Sequence, residues 1–135
     1  MDKEAPVPTF LNPPTLATPG SRFSQGVLAR ADARRLILSG QVAMRPDGSL
    51  AEGLEAQTHL VFDNIEALLA AAGMDLSHLV KLVIYCAQPG GADVVRTIRN
   101  QRLGAHAPAS TFVYVAGLAN PAYLVEIEGE ALKEA

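Results

Sequence analysis

The sequence predicts a two-layer α+β domain in which two helices cover one face of a mixed β-sheet. Three observations support this prediction: the length of 135 residues, an aliphatic composition, and strand-like and helix-like segments in the order β-β-α-β-α-β-β. A chain of this length corresponds to one domain. Hydrophobic residues make up 49% of the chain but aromatic residues only 5%, so Leu, Val, Ile and Ala are expected to build its core.

Prolines mark the N-terminal boundary of the expected domain. Five of the nine prolines fall within residues 1–21: Pro6, Pro8, Pro13, Pro14 and Pro19. Because proline fixes its own φ and restricts the residue before it, we expect residues 1–21 to form an extended arm over the surface. A single domain over residues 22–135 is expected to follow.

Runs of apolar and β-branched residues predict five strands, over residues 23–31, 35–41, 79–87, 111–115 and 124–131. A short polar turn joins the first two. The near-continuous apolar character of the third predicts cover on both of its faces.

Apolar residues three and four positions apart predict a helix over residues 54–72, ended by Gly73 in the left-handed conformation. A second helix is predicted over residues 92–103. Because two helices cover only one face of the sheet and the strands are hydrophobic, we expect an apolar second face that self-association buries.

Charge and cysteine content restrict the class of protein. A net charge of −3 argues against a general nucleic-acid binder, which normally carries a basic excess. The single cysteine, Cys86, excludes an intrachain disulfide and fits a reducing compartment. We find no signal-peptide pattern and no apolar run of membrane-spanning length, so a cytoplasmic protein without membrane contact is expected. The histidines lack metal-ligand spacing and no phosphate-binding loop is present, so neither a metal nor a cofactor is expected.

Short motifs follow one another over residues 20–132. In chain order they are Phe23-Ser24-Gln25-Gly26, Leu38-Ser39-Gly40-Gln41, Asp47-Gly48, Gln57-Thr58, Asn64-Ile65, Ala72-Gly73, Val80-Lys81, Pro108-Ala109 and Val125-Glu126-Ile127-Glu128. This series resembles the RidA (YjgF) family of reactive-intermediate deaminases. The resemblance implies the chorismate-mutase-like fold and a homotrimer with a small-molecule cleft between each pair of subunits.

The resemblance also implies a reaction, in which an imine or enamine of an amino acid is hydrolysed to a 2-keto acid and ammonia. A glutamate of the family is credited with positioning the water that attacks the substrate, and Glu126 matches that glutamate. Ser110 stands after Pro108-Ala109, where the deaminases carry the arginine that grips the substrate carboxylate. Because serine carries no charge, loss of this buried charged contact costs about 2–5 kcal/mol of binding free energy. We therefore interpret Ser110 and its neighbour Thr111 as candidate substrate-binding residues of a site whose specificity differs from that of the deaminases.

Other candidate substrate-binding residues lie in the first two predicted strands. Ser39 and Gly40 match the strand end that lines the family's cleft, where Gly40 allows a ligand to approach the backbone closely. Phe23 stands where the deaminases usually carry tyrosine, so it keeps an aromatic wall and lacks the hydroxyl. Arg22 is the first candidate for a compensating cation, and Arg96, Arg99 and Arg102 are others.

Structural interpretations of these residues stay open at this stage: Glu126 as a salt-bridged strand residue, Ser110 as an ordinary strand serine, and Phe23 as a core aromatic. The function predicted first is a RidA-like homotrimer that binds a small polar metabolite and hydrolyses imines or enamines with an altered substrate range. The alternative is a non-enzymatic metabolite-binding or regulatory module. An endoribonuclease is less favoured, because the chain is acidic and lacks an acid–base histidine motif.

Overall fold

The structure is a computed structural model that describes residues 8–16, 18 and 23–134. Its six strands are Thr9–Leu11 (β1), Gly26–Leu28 (β2), Arg34–Gln41 (β3), Leu79–Cys86 (β4), Ala109–Tyr114 (β5) and Val125–Lys133 (β6). Its helices are Leu54–Ala71 (α1) and Ala92–Leu103 (α2), and a 3-10 helix spans Leu76–His78. The predicted α+β class is confirmed.

The main sheet has four strands in the order β3-β6-β4-β5. β6 pairs antiparallel with both of its neighbours, whereas β4 and β5 run parallel. A parallel pair needs a crossover connection, and α2 provides it. The sheet is therefore mixed, as predicted, and the last strand of the chain lies inside it.

Both helices pack on the same face of the sheet. α1 contributes Phe62, Ile65 and Leu69 to the core, and α2 contributes Val95 and Ile98. The strand residues packed against them alternate along the chain, namely Leu82, Ile84 and Cys86 of β4 and Val125, Ile127 and Ala131 of β6. This period of two is what a sheet covered on one face requires.

The predicted hairpin over residues 23–41 is wrong. Only Gly26–Leu28 of the first predicted strand is a strand, and it pairs with Thr9–Leu11, inside the expected arm. Ser24 instead forms a bridge to Ala109 at the start of β5, and its N–H donates to the Pro108 carbonyl at 3.0 Å. The sequence shows the strand propensity of this segment. It does not show which segment pairs with it, because the partner strand lies about fifteen residues earlier in the chain.

The second face of the sheet is mixed in character, which corrects the prediction of an apolar face. On β4, Leu82 and Ile84 are buried under the helices, whereas Lys81, Val83 and Tyr85 point the other way and are partly exposed. On β6 the residues on this open face are Glu126, Glu128 and Glu130. Ile37 of β3 and Val113 of β5 are exposed on the same face, so carboxylates and apolar side chains lie side by side there.

Gly129 lies at a close approach of β6 to β4. A Cβ atom on Gly129 would lie 2.4 Å from the backbone carbonyl oxygen of Lys81 and 3.1 Å from Leu82 Cδ2. We expect Gly129→Ala to push the two strands apart and to lower the free energy of unfolding by about 1–3 kcal/mol. Urea denaturation measures the change.

Gly117→Ala is the matched control, because a Cβ atom at Gly117 meets no atom within 4 Å. Equal stability of the two variants would contradict the close approach at Gly129.

Candidate functional site

The candidate site begins where β3 is irregular. The β3–β6 register shifts between Leu38 and Gln41, so Gly40 lies in a β-bulge. A Cβ atom on Gly40 would lie 2.3 Å from Glu126 Oε2 and 2.8 Å from Glu126 Cδ. The absent side chain at Gly40 therefore makes room for the Glu126 carboxylate. The sequence predicts that a ligand approaches the backbone closely at Gly40. In this structure the Glu126 carboxylate lies in that space.

The three glutamates on the open face of β6 differ in their partners. Glu128 accepts a short hydrogen bond from the Tyr85 hydroxyl. Glu130 accepts two hydrogen bonds from Arg35, at 3.1 and 3.0 Å. Within the described part of the chain, no side chain donates a hydrogen bond or forms an ion pair with Glu126. Glu126 is thus the one glutamate of this face whose carboxylate is left for a ligand or a water.

Tyr85 lies next to Glu126 in the β4–β6 register. The hydrogen bond to Glu128 is the main cause that raises the pKa of Tyr85 above its ordinary value, followed by burial and by the negative charges of Glu128 and Glu126. The Tyr85 phenol therefore stays protonated at neutral pH and acts as a hydrogen-bond donor beside the carboxylates.

A cavity of about 400 Å³ borders Gly40 at the end of β3. Its lining residues are Gly40, Gln41, Val42, Met44, Arg45, Pro46, Asn64 and Ala67. The Asn64 amide donates to the carbonyls of Val42 and Met44, at 3.0 and 3.2 Å, and so fixes the loop after β3. Ser39 is exposed beside Gly40, and its carbonyl accepts a hydrogen bond from Gln41 at 3.0 Å. The cavity therefore shares Gly40 with the candidate site but is not lined by Glu126, and it brings in Arg45 and Asn64, which the sequence did not single out as site residues.

Ser110 and Thr111 do not belong to one site within a single chain, because successive strand residues point to opposite faces. The Thr111 hydroxyl is on the open face and accepts a hydrogen bond from Lys81 Nζ at 2.9 Å. Ser110 is on the helix face, where Arg99 Nη1 lies 3.5 Å from its hydroxyl oxygen. Ser110 and Glu126 consequently face opposite sides of the sheet.

The candidate cations have different surroundings. Arg22 lies outside the described residues. Arg99 is buried, with 2% of its surface exposed. Arg96 lies over the ring of Phe112, with 5.0 Å from its guanidinium carbon to the ring centroid. Arg102 forms ion pairs with Asp63 and Glu66 of α1, at 2.7 and 3.3 Å, and holds the two helices together.

Phe23, a further sequence candidate, and Cys86, the single cysteine, have different surroundings. Phe23 is half-buried directly before Ser24, whose hydroxyl donates to the Ala107 carbonyl. Cys86 is fully buried in the core, and burial raises the pKa of its thiol. A buried thiol of raised pKa is a poor nucleophile.

The described residues contain neither a helix suited to cross a membrane nor a cluster of metal ligands. Neither α1 nor α2 combines the length and the hydropathy that a membrane crossing needs. The described part of the chain also brings no three His, Cys, Asp or Glu side chains together as a metal site.

The fold and the site together define a class of protein. It is a two-layer α+β domain in which a glutamate lies on the bulged pair of strands β3 and β6. Residues 15–133 match the family model described as endoribonuclease L-PSP. A RutC family protein of Pyrococcus horikoshii is 31% identical over 114 residues, which cover 83% of this chain and 87% of the relative. The chain belongs to this family, the RidA (YjgF) family that its motifs resemble.

Two other comparisons extend this result. The human 2-iminobutanoate/2-iminopropanoate deaminase is 28% identical over 123 residues, which cover 88% of this chain and 87% of that protein. The crystal structure of YyfB from Yersinia pestis, a Rid-family protein of unknown function, superposes with a TM-score of 0.81. It shares 32% sequence identity, and the match covers 93% of this chain and 98% of that structure. The RidA-like fold is therefore confirmed.

Gly40→Ala tests the contact between Gly40 and Glu126. Because the Cβ atom meets the end of a flexible side chain, we expect the carboxylate to move and the fold to persist, with less than about 1 kcal/mol lost from the free energy of unfolding. Ligand binding or turnover that depends on Glu126 is expected to fall at least tenfold. Gly26→Ala, where a Cβ atom meets nothing within 4 Å, is the control. Wild-type activity in Gly40→Ala would contradict a role for this geometry.

Proposed function

We propose that this protein is a homotrimer that binds a small polar metabolite in clefts between subunits and hydrolyses imines or enamines with an altered substrate range. The observation that carries the proposal is the state of Glu126, which lies against Gly40 and has no side-chain partner in the described part of the chain. Its neighbours Glu128 and Glu130 are each bound by another side chain. Similarity to the human imine deaminase supports the reaction class.

The reaction requires a base beside the substrate carbon. Glu126 accepts a proton from a water molecule as the water oxygen forms a bond to the imine carbon. The imine nitrogen takes a proton from solvent, and the resulting carbinolamine has an sp³ carbon that carries a hydroxyl and an amino group. Glu126 then transfers its proton to the amino nitrogen, and the C–N bond breaks as the hydroxyl loses its proton to solvent and becomes the carbonyl, which releases ammonia and the 2-keto acid. An enamine enters the same path after protonation at its carbon.

A division of the site between copies explains why a trimer is proposed. Glu126 is on the open face of β6, whereas Ser110 is on the helix face of β5, and β4 lies between these two strands. A small metabolite does not reach both residues within one chain. If both contact the substrate, a second copy of the chain must bring its β5 to the open face of the first, as the cleft implied by the family resemblance requires.

Substitution of Glu126 tests the reaction. We expect Glu126→Gln to lower kcat by a factor of about 10²–10⁴, the usual contribution of a general base, and to leave the unfolding transition unchanged. The assay follows the hydrolysis of freshly generated 2-iminobutanoate and 2-aminoacrylate. Glu130→Gln is the control, since Glu130 lies on the same strand face and its carboxylate is bound by Arg35. Equal activity of wild type and Glu126→Gln would remove Glu126 from the mechanism.

The state of association is a separate prediction. We expect light scattering after size-exclusion chromatography to give three times the chain mass of 14.2 kDa. A fully active monomer at the same concentration would contradict the division of the site between copies. A trimer that binds 2-keto acids without hydrolysing imines would instead indicate the metabolite-binding module.

A further inference from the structure

We propose that Gln57 of α1 is a positioning residue of the candidate site, which fixes the Glu126 carboxylate relative to Gly40 by binding the backbone next to each of them. This inference rests on the proposed function and deepens it, because it names the side chain that holds the proposed base in place.

The hydrogen bonds of the Gln57 side chain are the first argument. Gln57 is buried, with 3% of its surface exposed, and a buried amide is costly unless its polar atoms are bound. Its Nε2 donates to the carbonyl of Ala51 at 3.1 Å and to the carbonyl of Ala122 at 2.9 Å. Its Oε1 accepts a hydrogen bond from the N–H of Leu124 at 2.9 Å. One amide thus joins α1 to two separate backbone segments through both of its donor hydrogens and its oxygen.

One of these segments leads directly into β6. Residues 115–124 are irregular, and none of these ten residues is buried. The Leu124 carbonyl also accepts a hydrogen bond from the N–H of Ala87, which follows β4, at 2.9 Å. Leu124 is therefore held at both its N–H and its carbonyl, and Glu126 follows two residues later, about 7 Å along the strand. The place at which β6 begins, and with it the position of Glu126, consequently depends on the bond to α1.

The other segment follows the bulge of β3. The N–H of Ala51 donates to the carbonyl of Ala43 at 3.1 Å, and both alanines are buried. Ala43 lies three residues after Gly40, so the bond from Gln57 to Ala51 fixes the loop that begins at the bulge. Asn64, two helical turns after Gln57 and on the same face of α1, binds two further carbonyls of this loop.

The contact between Gly40 and Glu126 explains why this anchoring matters for the reaction. A Cβ atom on Gly40 would lie 2.3 Å from Glu126 Oε2, so the carboxylate lies close against the backbone. A displacement of about 1 Å is enough to lower the rate of a reaction that depends on a positioned group by a factor of about 10². Because Gln57 binds the backbone that leads to each residue, it controls the distance between them.

The neighbouring residue Thr58 offers a matched control. Thr58 is fully buried, and its hydroxyl donates to the carbonyl of Leu54 at 2.7 Å. This hydrogen bond is local to α1, so its loss weakens the helix without releasing the start of β6. Thr58→Val therefore removes a buried side-chain hydrogen bond from the same helix and leaves the proposed positioning intact.

The first test is a double-mutant cycle on the hydrolysis of freshly generated 2-iminobutanoate. We expect Gln57→Met, which keeps the volume and loses all three hydrogen bonds, to lower kcat about tenfold and to change KM less than about twofold. In the Glu126→Gln background we expect Gln57→Met to cause no further loss of kcat, because both changes act through the same carboxylate. Thr58→Val is expected to keep the wild-type kcat.

The second test does not depend on turnover. It follows the backbone amide signals of the purified protein by two-dimensional NMR. We expect Gln57→Met to shift the signals of Gly40 and Glu126 and to speed hydrogen exchange at the Leu124 amide at least tenfold, since that N–H loses its acceptor. Thr58→Val is expected to leave all three amides as in the wild type.

Gln57→Glu keeps both tests decisive if Gln57→Met does not fold. Burial favours the neutral carboxylic acid, which accepts from the Leu124 N–H and donates to one of the two carbonyls. We expect this conservative variant to lower kcat only about threefold, with no further loss in the Glu126→Gln background.

Different outcomes separate this inference from the proposed reaction. Wild-type kcat in the Gln57 variants, a fully additive loss in the double variant, or an equal loss in Thr58→Val overturns the role of Gln57. Unmoved signals of Gly40 and Glu126 also overturn it. Wild-type protein that hydrolyses no imine, while both signals shift in Gln57→Met, supports the positioning and overturns the deaminase. A loss of kcat in Glu126→Gln without one in Gln57→Met does the reverse.

Discussion

The position of β6 inside the main sheet is the constraint on which the rest of the structure depends. Val125, Ile127 and Ala131 point into the helical layer, and this alternation places the three intervening glutamates on the open face. A slip of one residue would exchange the two sets and bury carboxylates in an aliphatic core. Gly129 supports the register, because only a residue without a side chain permits the close approach of the Lys81 carbonyl.

Local periodicity explains which parts of the fold were predictable. The predicted bounds of α2 agree with the structure, and α1 ends one residue earlier than predicted, before the positive φ of Gly73. The main-sheet strands were located within about two residues. The pairing of β1 with β2 was not predicted, because paired residues such as Phe10 and Val27 are far apart in the sequence. The polarity of the open face was missed because strand hydrophobicity was considered without its alternation.

The candidate site was predicted in its residues but not in its arrangement. Gly40 and Glu126 were each selected by motif, and only the pairing of β3 with β6 reveals that the glycine accommodates the carboxylate. Ser110 and Thr111 were grouped because they are adjacent, although adjacency on a strand separates side chains. Arg99 was one of several possible cations. Its proximity to Ser110 depends on the crossover of α2, which the sequence alone does not position to within a few ångströms.

The separation of the two candidate groups by the sheet gives this arrangement a physical logic. A carboxylate and a hydroxyl that face one another form a hydrogen bond, and each then offers less to a ligand. Here the sheet keeps Ser110 on the helix face, while Glu126 lies on the open face of the same chain. Under the proposed trimer, Glu126 and Ser110 meet only across a subunit boundary, with the substrate between them. The length of the substrate would then determine whether the two groups act on it together, so the shape of the metabolite would contribute to its selection.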